Sequence, residues 1–209
     1  MGNVTKAIRN VPIPRLMQHL PLDQRGYPIF FGAYVDSTGT PFFTVNDEYK
    51  RYLMIKHDLC SICGKPLLRG RWFCGGPASA LHERGCYIDM PMHDDCVHYA
   101  LAVCPYLAAP NFGREVGIKK AGQIADAVVV VDPTMIEGRP PLFVAVMATG
   151  QRMLDGDRYV KPKRPYLKTE YWQHGKRLPD NVGQALSALH MNRIVEVDED
   201  GNIERSQAS

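Results

Sequence analysis

Two cysteines stand two residues apart in "DLCSICGKPL", residues 58 to 67, and glycine, lysine and proline follow them. Thiolates at that spacing suit one edge of a tetrahedral metal site, and Zn²⁺ in a structural site takes four N or S ligands. Cys60 and Cys63 supply two, so the chain must find two more among Cys74, Cys86, His93 and Cys96. His93 and Cys96 lie three apart in "MHDDCVHYA", at the expected start of a helix. Side chains at i and i+3 share a helix face and can chelate one ion, and the free N–H groups of a helix N-terminus favour a thiolate. A CxxC knuckle followed by HxxC in the first turn of a helix is the treble-clef arrangement. Cys74 and Cys86, isolated beside glycines, are expected to be small buried residues, with a ligand role as the open alternative. Cys104 falls on an apolar helix face and is expected in the core.

Two other chemistries compete with a closed structural site. His82 lies between the two ligand pairs, where a ββα-metal nuclease of the HNH type carries its general base, and a second metal would then be held partly by His98 or Asp95. Against this, Leu81 stands where such nucleases carry an acid, and His98 is displaced from the position after the last cysteine ligand. A catalytic zinc with an open position and Glu83 or Asp94 as its carboxylate needs only three ligands, but four candidates already close the shell. The H-x-E plus P-C-x-x-C deaminase pattern is absent.

One stretch carries a binding signal. "RYVKPKRPYLKTEYW" sets Lys161, Lys163, Arg164 and Lys168 among Tyr159, Tyr166, Tyr171 and Trp172, residues that can neutralise phosphates and stack on unpaired bases. Arg69 and Arg71 beside the knuckle would extend the patch. The plain alternative is a solvated loop between strands.

The elements that must position these residues follow from composition and pattern. With 209 residues, 45% hydrophobic and 22% charged, the chain can bury a core without metal, so any metal is a local staple. A formal charge of +3 is too small to imply a polyanion partner through bulk electrostatics. No apolar run reaches the length of a membrane span, and "MGNVTKAIRNVPIPRL" lacks the apolar core of a secretory signal, which points to the cytoplasm. Residue 6 is Lys where a myristoylation signal wants Ser or Thr. In that compartment the six cysteines read as metal ligands and core residues rather than disulfides.

Residues 1–26 read as an extended arm. "YPIFFGAYVDSTGTPFFTV" predicts a hairpin turning at Asp36-Ser37-Thr38-Gly39, and Asn46 is placed to cap a helix over "DEYKRYLMIKH". The glycines and prolines from Leu67 to Met92 predict one or two short strands joined by turns. A helix opening at Met92 or His93 would bury Val97, Ala100, Leu101 and Cys104 and stop at Pro105. Residues 111–124 read as a connection, "DAVVVVD" and "PLFVAVMAT" as buried strands. A helix capped by Asp180 would present Val182, Ala185, Leu186 and Leu189 on one face. The expected organisation is an arm (1–26), a hairpin plus treble-clef-like zinc module (27–110), a strand-rich α+β segment ending in a helix (111–197) and a flexible tail (198–209).

The blocks "CSICGKPL", "GGPASA" and "MPMHDDCVHYALAVCPYL" resemble a family of uncharacterised bacterial and phage proteins whose pattern is CxxCG, then GP, then PPxHxxCxxYAxxxCPFL. The likeness extends to "VPIPRL", "RGYP" and "YWQHGKRLP". It implies a shared zinc-type module at Cys60, Cys63, His93 and Cys96 and brings no activity with it; Cys74 and Cys86 fall where this chain departs from the pattern. The expectation is therefore an α+β protein with a treble-clef-like zinc module and flanking strand-rich segments. Its function would be that of a non-enzymatic accessory protein binding a protein or nucleic-acid partner, in host–phage interaction if the family's distribution is a guide. The alternative is the HNH-like nuclease.

Overall fold

The computed structural model describes residues 10–109 and 140–191. The expected strand "DAVVVVD", the connection over 111–124 and the tail over 198–209 lie outside them. Within them the chain is a mixture of helices and antiparallel strands.

The hairpin forms where the turn residues put it. β1 (Ala33–Val35) pairs antiparallel with β2 (Pro41–Asn46). The Asp36 carboxylate closes the turn by accepting from the backbone N–H groups of Thr38 and Thr40 and from the Thr38 hydroxyl. Gly39 follows at φ +85°, a conformation that costs glycine little. These bonds hold the exposed Asp36 carboxyl below its ordinary value, the Thr38 hydroxyl contributing most. Next comes α1 (Glu48–His57), capped by Asp47 rather than by the expected Asn46, because the Asp47 carboxylate accepts the Lys50 N–H at 3.0 Å. The helix ends at Asp58 in the left-handed region (φ 52°) and turns the chain into the knuckle.

A four-stranded antiparallel sheet forms the centre, in the order β3 (Arg71–Gly75), β4 (Phe143–Ala148), β7 (Lys168–Gln173), β8 (Lys176–Arg177). Strand β4 is buried at every position but one, which explains its unbroken β-branched and small apolar sequence. Alternation along the strands sorts side chains to two faces. Trp72, Phe143 and Ala145 join Cys60, Cys63, Cys96 and Val97 in one cluster. Phe73, Val144, Val146 and Tyr171 join Tyr87 and Val160 in the other. On the first face packs α3 (Asp94–Val103), followed by the short α4 (Pro105–Ala108). On the second lie α2 (Pro77–Leu81) and α5 (Asp180–Met191). The separate hairpin of β5 (Gln151–Leu154) and β6 (Tyr159–Pro162) joins this second face through Met153 and Val160.

Three expectations need correction. The glycine-rich segment after β3 contains α2, a helix that Pro77 opens from its first turn, where the missing N–H is no loss. Helix α5 buries Gly183 and Ser187 and leaves Val182 and Leu189 exposed. A Cβ at residue 183 would fall inside the Tyr171 ring, so close approach to the sheet, and not apolar periodicity, chooses the buried face. The arm is also more than an extended strand. Arg15–Met17 form a 3₁₀ turn that buries Met17 beside Cys60 and Cys63.

No helix among the described residues is long and apolar enough to cross a membrane.

Candidate metal centre

Three segments converge on the quartet. The Cys60–Cys63 turn is held by Cys60 N–H donating to the Lys65 carbonyl and Gly64 N–H donating to the Cys60 carbonyl, both at 2.9 Å. Gly64 stands at φ +68°, and a Cβ there would strike the Phe31 ring. From the N-terminal side, the N–H groups of Phe31 and Gly32 donate to the carbonyls of Ile62 and Ser61, and His19 Nε2 lies 3.1 Å from the Cys63 carbonyl. From the C-terminal side, Trp72 and Met92 exchange backbone hydrogen bonds, which delivers His93 to the N-cap of α3 and Cys96 to its first turn.

The result is a buried group of one imidazole and three thiols. Donor atoms of Cys60, Cys63, His93 and Cys96 all lie within 4.8 Å of one another, and the four residues are between 0% and 5% exposed. A tetrahedral shell with metal–sulfur distances of about 2.3 Å spaces its donors roughly 3.8 Å apart, which is compatible with this group. His93 Nδ1 lies 3.2 Å from Cys63 Sγ, while its Nε2 faces the Pro66 carbonyl at 2.9 Å. A proton on Nε2 satisfies that carbonyl and leaves the Nδ1 lone pair for a metal, the usual way in which an outer partner fixes a ligating imidazole. The quartet can hold a metal ion.

Electrostatics argue in the same direction. Burial opposes a charge on Cys60, but hydrogen bonds from Cys63, Cys96 and His93 outweigh it and hold this thiol well below its ordinary value. Cys96 is pushed far up by its hydrogen bonds to Cys60 and Cys63 and then by burial. Without a cation, one thiolate suppresses ionisation of the others; a divalent ion at the centre removes that conflict and favours three thiolates together.

The remaining cysteines stand apart from this group. Cys74 lies on β3 opposite Ala145, and burial pushes its thiol up. Cys86 is buried next to Tyr87, and Cys104 is half-buried at the C-cap of α3 rather than deep in the core. None forms a disulfide.

The two histidines weighed for nuclease chemistry do not meet. His82 caps the end of α2, where its Nδ1 accepts the Arg84 N–H, on the Tyr171 face of the sheet. His98 lies on α3 against the opposite face, between Trp72 and Trp172 at ring-centroid distances of 5.1 and 5.7 Å. Asp95 is exposed on α3, and the Cys/His quartet is the metal-type cluster found among the described residues.

What sequence reading missed is the set of partners around His98. Its Nε2 lies 2.8 Å from Glu170 Oε2, which also accepts from Trp172 Nε1 at 3.1 Å, and Arg177 pairs with the other carboxylate oxygen at 3.4 Å. On the other flank, Trp72 Nε1 donates to Asp94 at 2.8 Å. Burial would raise the Glu170 carboxyl, but the hydrogen bonds from His98 and Trp172 prevail and lower it. A carboxyl depressed in the folded state stabilises above its unfolded pKa, and that contribution is lost as pH falls through the folded value. Glu170→Gln should therefore cost about 1.5 kcal/mol near neutral pH, the low end for a hydrogen bond to a charged group. The difference from wild type should close below the ordinary carboxylate range, as urea melts across pH would show; a pH-independent gap would mean that only shape was lost.

The basic and aromatic residues of "RYVKPKRPYLKTEYW" divide likewise. Tyr171 is buried, and the half-buried Trp172 packs on His98 on the α3 face, away from the end of α2. Lys168 shares a strand face with Glu170 and Trp172, the α3 side of the sheet. Lys161, Arg164 and Tyr166 gather near the end of α2, and the exposed Lys163 runs beside Gly150. Arg71 is occupied by Asp58 at 2.6 Å, and Arg69 is exposed.

The chain matches no known protein-family model, no curated protein and no solved structure.

Proposed function

We propose that this chain is a zinc-binding accessory protein without catalytic activity, in which a treble-clef-like module at Cys60, Cys63, His93 and Cys96 is structural and the surface engages a protein or nucleic-acid partner. One observation carries the reading. All four donors are buried and converge, so a tetrahedral ion would have no open position for water or substrate. Three thiolates and an imidazole are the donor set of structural zinc, and carboxylate-seeking ions such as Mg²⁺ or Ca²⁺ would find no oxygen ligand among them. The HNH-like alternative needs His82 near a second metal, and the separation of His82 from His98 by the sheet speaks against that pairing. The family resemblance of the Cys/His block would place the accessory role in host–phage interaction.

Elemental analysis of the purified protein tests the metal. One zinc per chain is expected, with loss of most of it in Cys96→Ser and full retention in Cys74→Ser. Zinc retained without Cys96, or lost with Cys74, would overturn the assignment of the ligands.

A further inference from the structure

Among the described residues, Arg25, Lys50, Arg71, Arg158 and Arg177 each pair with a carboxylate; Arg152, Lys161, Lys163 and Arg164 do not, and unlike Arg69, Lys168 and Lys176, which also lack such a partner, they lie together on and just after the β5–β6 hairpin. Lys161 Nζ donates to the Glu83 carbonyl at 2.6 Å, and Arg164 Nη2 donates to the preceding carbonyl, His82, at 2.9 Å and to Ala80 at 3.1 Å. Consecutive carbonyls thus hold two cationic heads side by side. Neutral acceptors orient them without cancelling their charge. Arg152 stands directly opposite Lys161 across β5 and β6, a like-charge pair that is unfavourable until an anion joins it. The exposed Lys163 follows, its N–H anchored on the Gly150 carbonyl at 2.8 Å. Nearby acids do not relieve the patch: Asp155 and Asp157 sit at the hairpin tip, the former pairing with Arg158, and Glu83 engages Lys161 through its backbone.

Beside Arg164 lies a cavity of about 200 Å³ lined by Ala80, Leu81, Arg164, Pro165 and Tyr166. It is smaller than the roughly 300 Å³ at which pockets begin to take whole drug-sized ligands and is open to solvent, so it has room for a single ring. Its aromatic wall is fixed in advance. The Tyr166 hydroxyl donates to the Ala80 carbonyl at 2.9 Å, and the Arg164 guanidinium lies 5.3 Å from the ring centroid. An apolar slot with a tyrosine wall, edged by cations that lack counter-charges, matches a nucleobase and its flanking phosphates.

We propose that this is a site for single-stranded nucleic acid, with one base in the cavity against Tyr166 and the adjoining phosphates on Arg164, Lys161 and Lys163. The inference rests on the reading of the chain as a partner-binding protein and names the partner. A duplex keeps its bases stacked and cannot fill the slot, and an acidic protein segment would use the cations but not the aromatic wall.

Fluorescence anisotropy of full-length, zinc-assayed protein with a labelled oligothymidylate of about twelve nucleotides tests it. Three neutralised phosphates predict a slope of log affinity against log salt of about −2, at roughly 0.7 per contact on a single strand. Lys161→Gln combined with Lys163→Gln should reduce that slope by about 1.4. Leu81→Trp, which fills the slot, should weaken binding about tenfold with the slope unchanged, the size of one lost base stack. No binding at about 50 mM salt, an unaltered slope in the double variant, or polyglutamate of matched charge binding as tightly as the oligonucleotide would overturn the proposal, the last marking an acidic-protein surface instead. Cleavage of the oligonucleotide would leave the site standing and sink the non-enzymatic reading.

Discussion

With zinc in the quartet, as proposed, its chelation at neutral pH is expected to abolish the cooperative thermal transition of the segment that carries the arm, the knuckle and α3. Structural zinc contributes about 10–16 kcal/mol of apparent binding free energy in small modules, against a total stability of about 5–15 kcal/mol for a domain. Removing it leaves three buried thiols and an imidazole with nothing to reconcile their charges. The effect should spread beyond the ligands, because Phe31 and Gly32 hold the knuckle by their backbone and Met17 packs beside it. Near-UV circular dichroism offers a local reporter. Trp72 is fully buried beneath α3 and hydrogen-bonded to Asp94, the residue after His93, so its signal should collapse on chelation and return when zinc is restored. A melting curve and tryptophan signal untouched by chelator would show that the core stands without metal.

Trp72→Ala should cost about 3–5 kcal/mol, the range for deleting a large aromatic from a packed core. Trp72 is 0% exposed and stands between the sheet, α3 and His98, so no neighbour can close over the space without disturbing the helix that carries two ligands. Its loss also leaves Asp94 without the indole donor. Trp72→Phe keeps much of the packing and loses the N–H, and should cost roughly 1–2 kcal/mol. Urea denaturation of the zinc-loaded variants measures both. A Trp72→Ala midpoint equal to that of wild type would mean that β3 and α3 are held together by the metal alone.

The convergence of the Cys/His quartet was legible because its spacing is local twice over. A CxxC turn and an HxxC first turn each bring two donors to one face by backbone geometry, and only the meeting of the two pairs is a long-range event. The first hairpin was legible for a similar reason, since Asp36 and Gly39 fix the turn between flanking β-formers. What sequence patterns could not reveal is what two remote segments do to one another. The environment of His98 depends on Glu170 and Trp172, some seventy residues away, and no spacing rule links them. On α5 the apolar pattern pointed to the wrong face, because contact with Tyr171 selects for the absence of a side chain at Gly183. Within α2, five residues are too few for a helical period to emerge above the signal of the surrounding glycines and proline. The basic stretch read correctly as a source of cations but not as a single surface, because Lys161 lies on the β5–β6 hairpin while Lys168 lies on β7 of the central sheet.

The pairing of β3 with β4 joins residues near position 73 to residues near position 145, while all four candidate ligands and the backbone bonds that set the knuckle lie before the end of α3. A chain emerging from its N-terminus should therefore be able to capture its ion and dock Trp72 on Met92 well before the central strand exists. At that stage β3 is an unpaired edge with a row of open backbone donors and acceptors, the kind of template that invites wrong partners. Zinc supply during synthesis, more than in the finished protein, would then decide how much of the chain reaches its native sheet and how much aggregates.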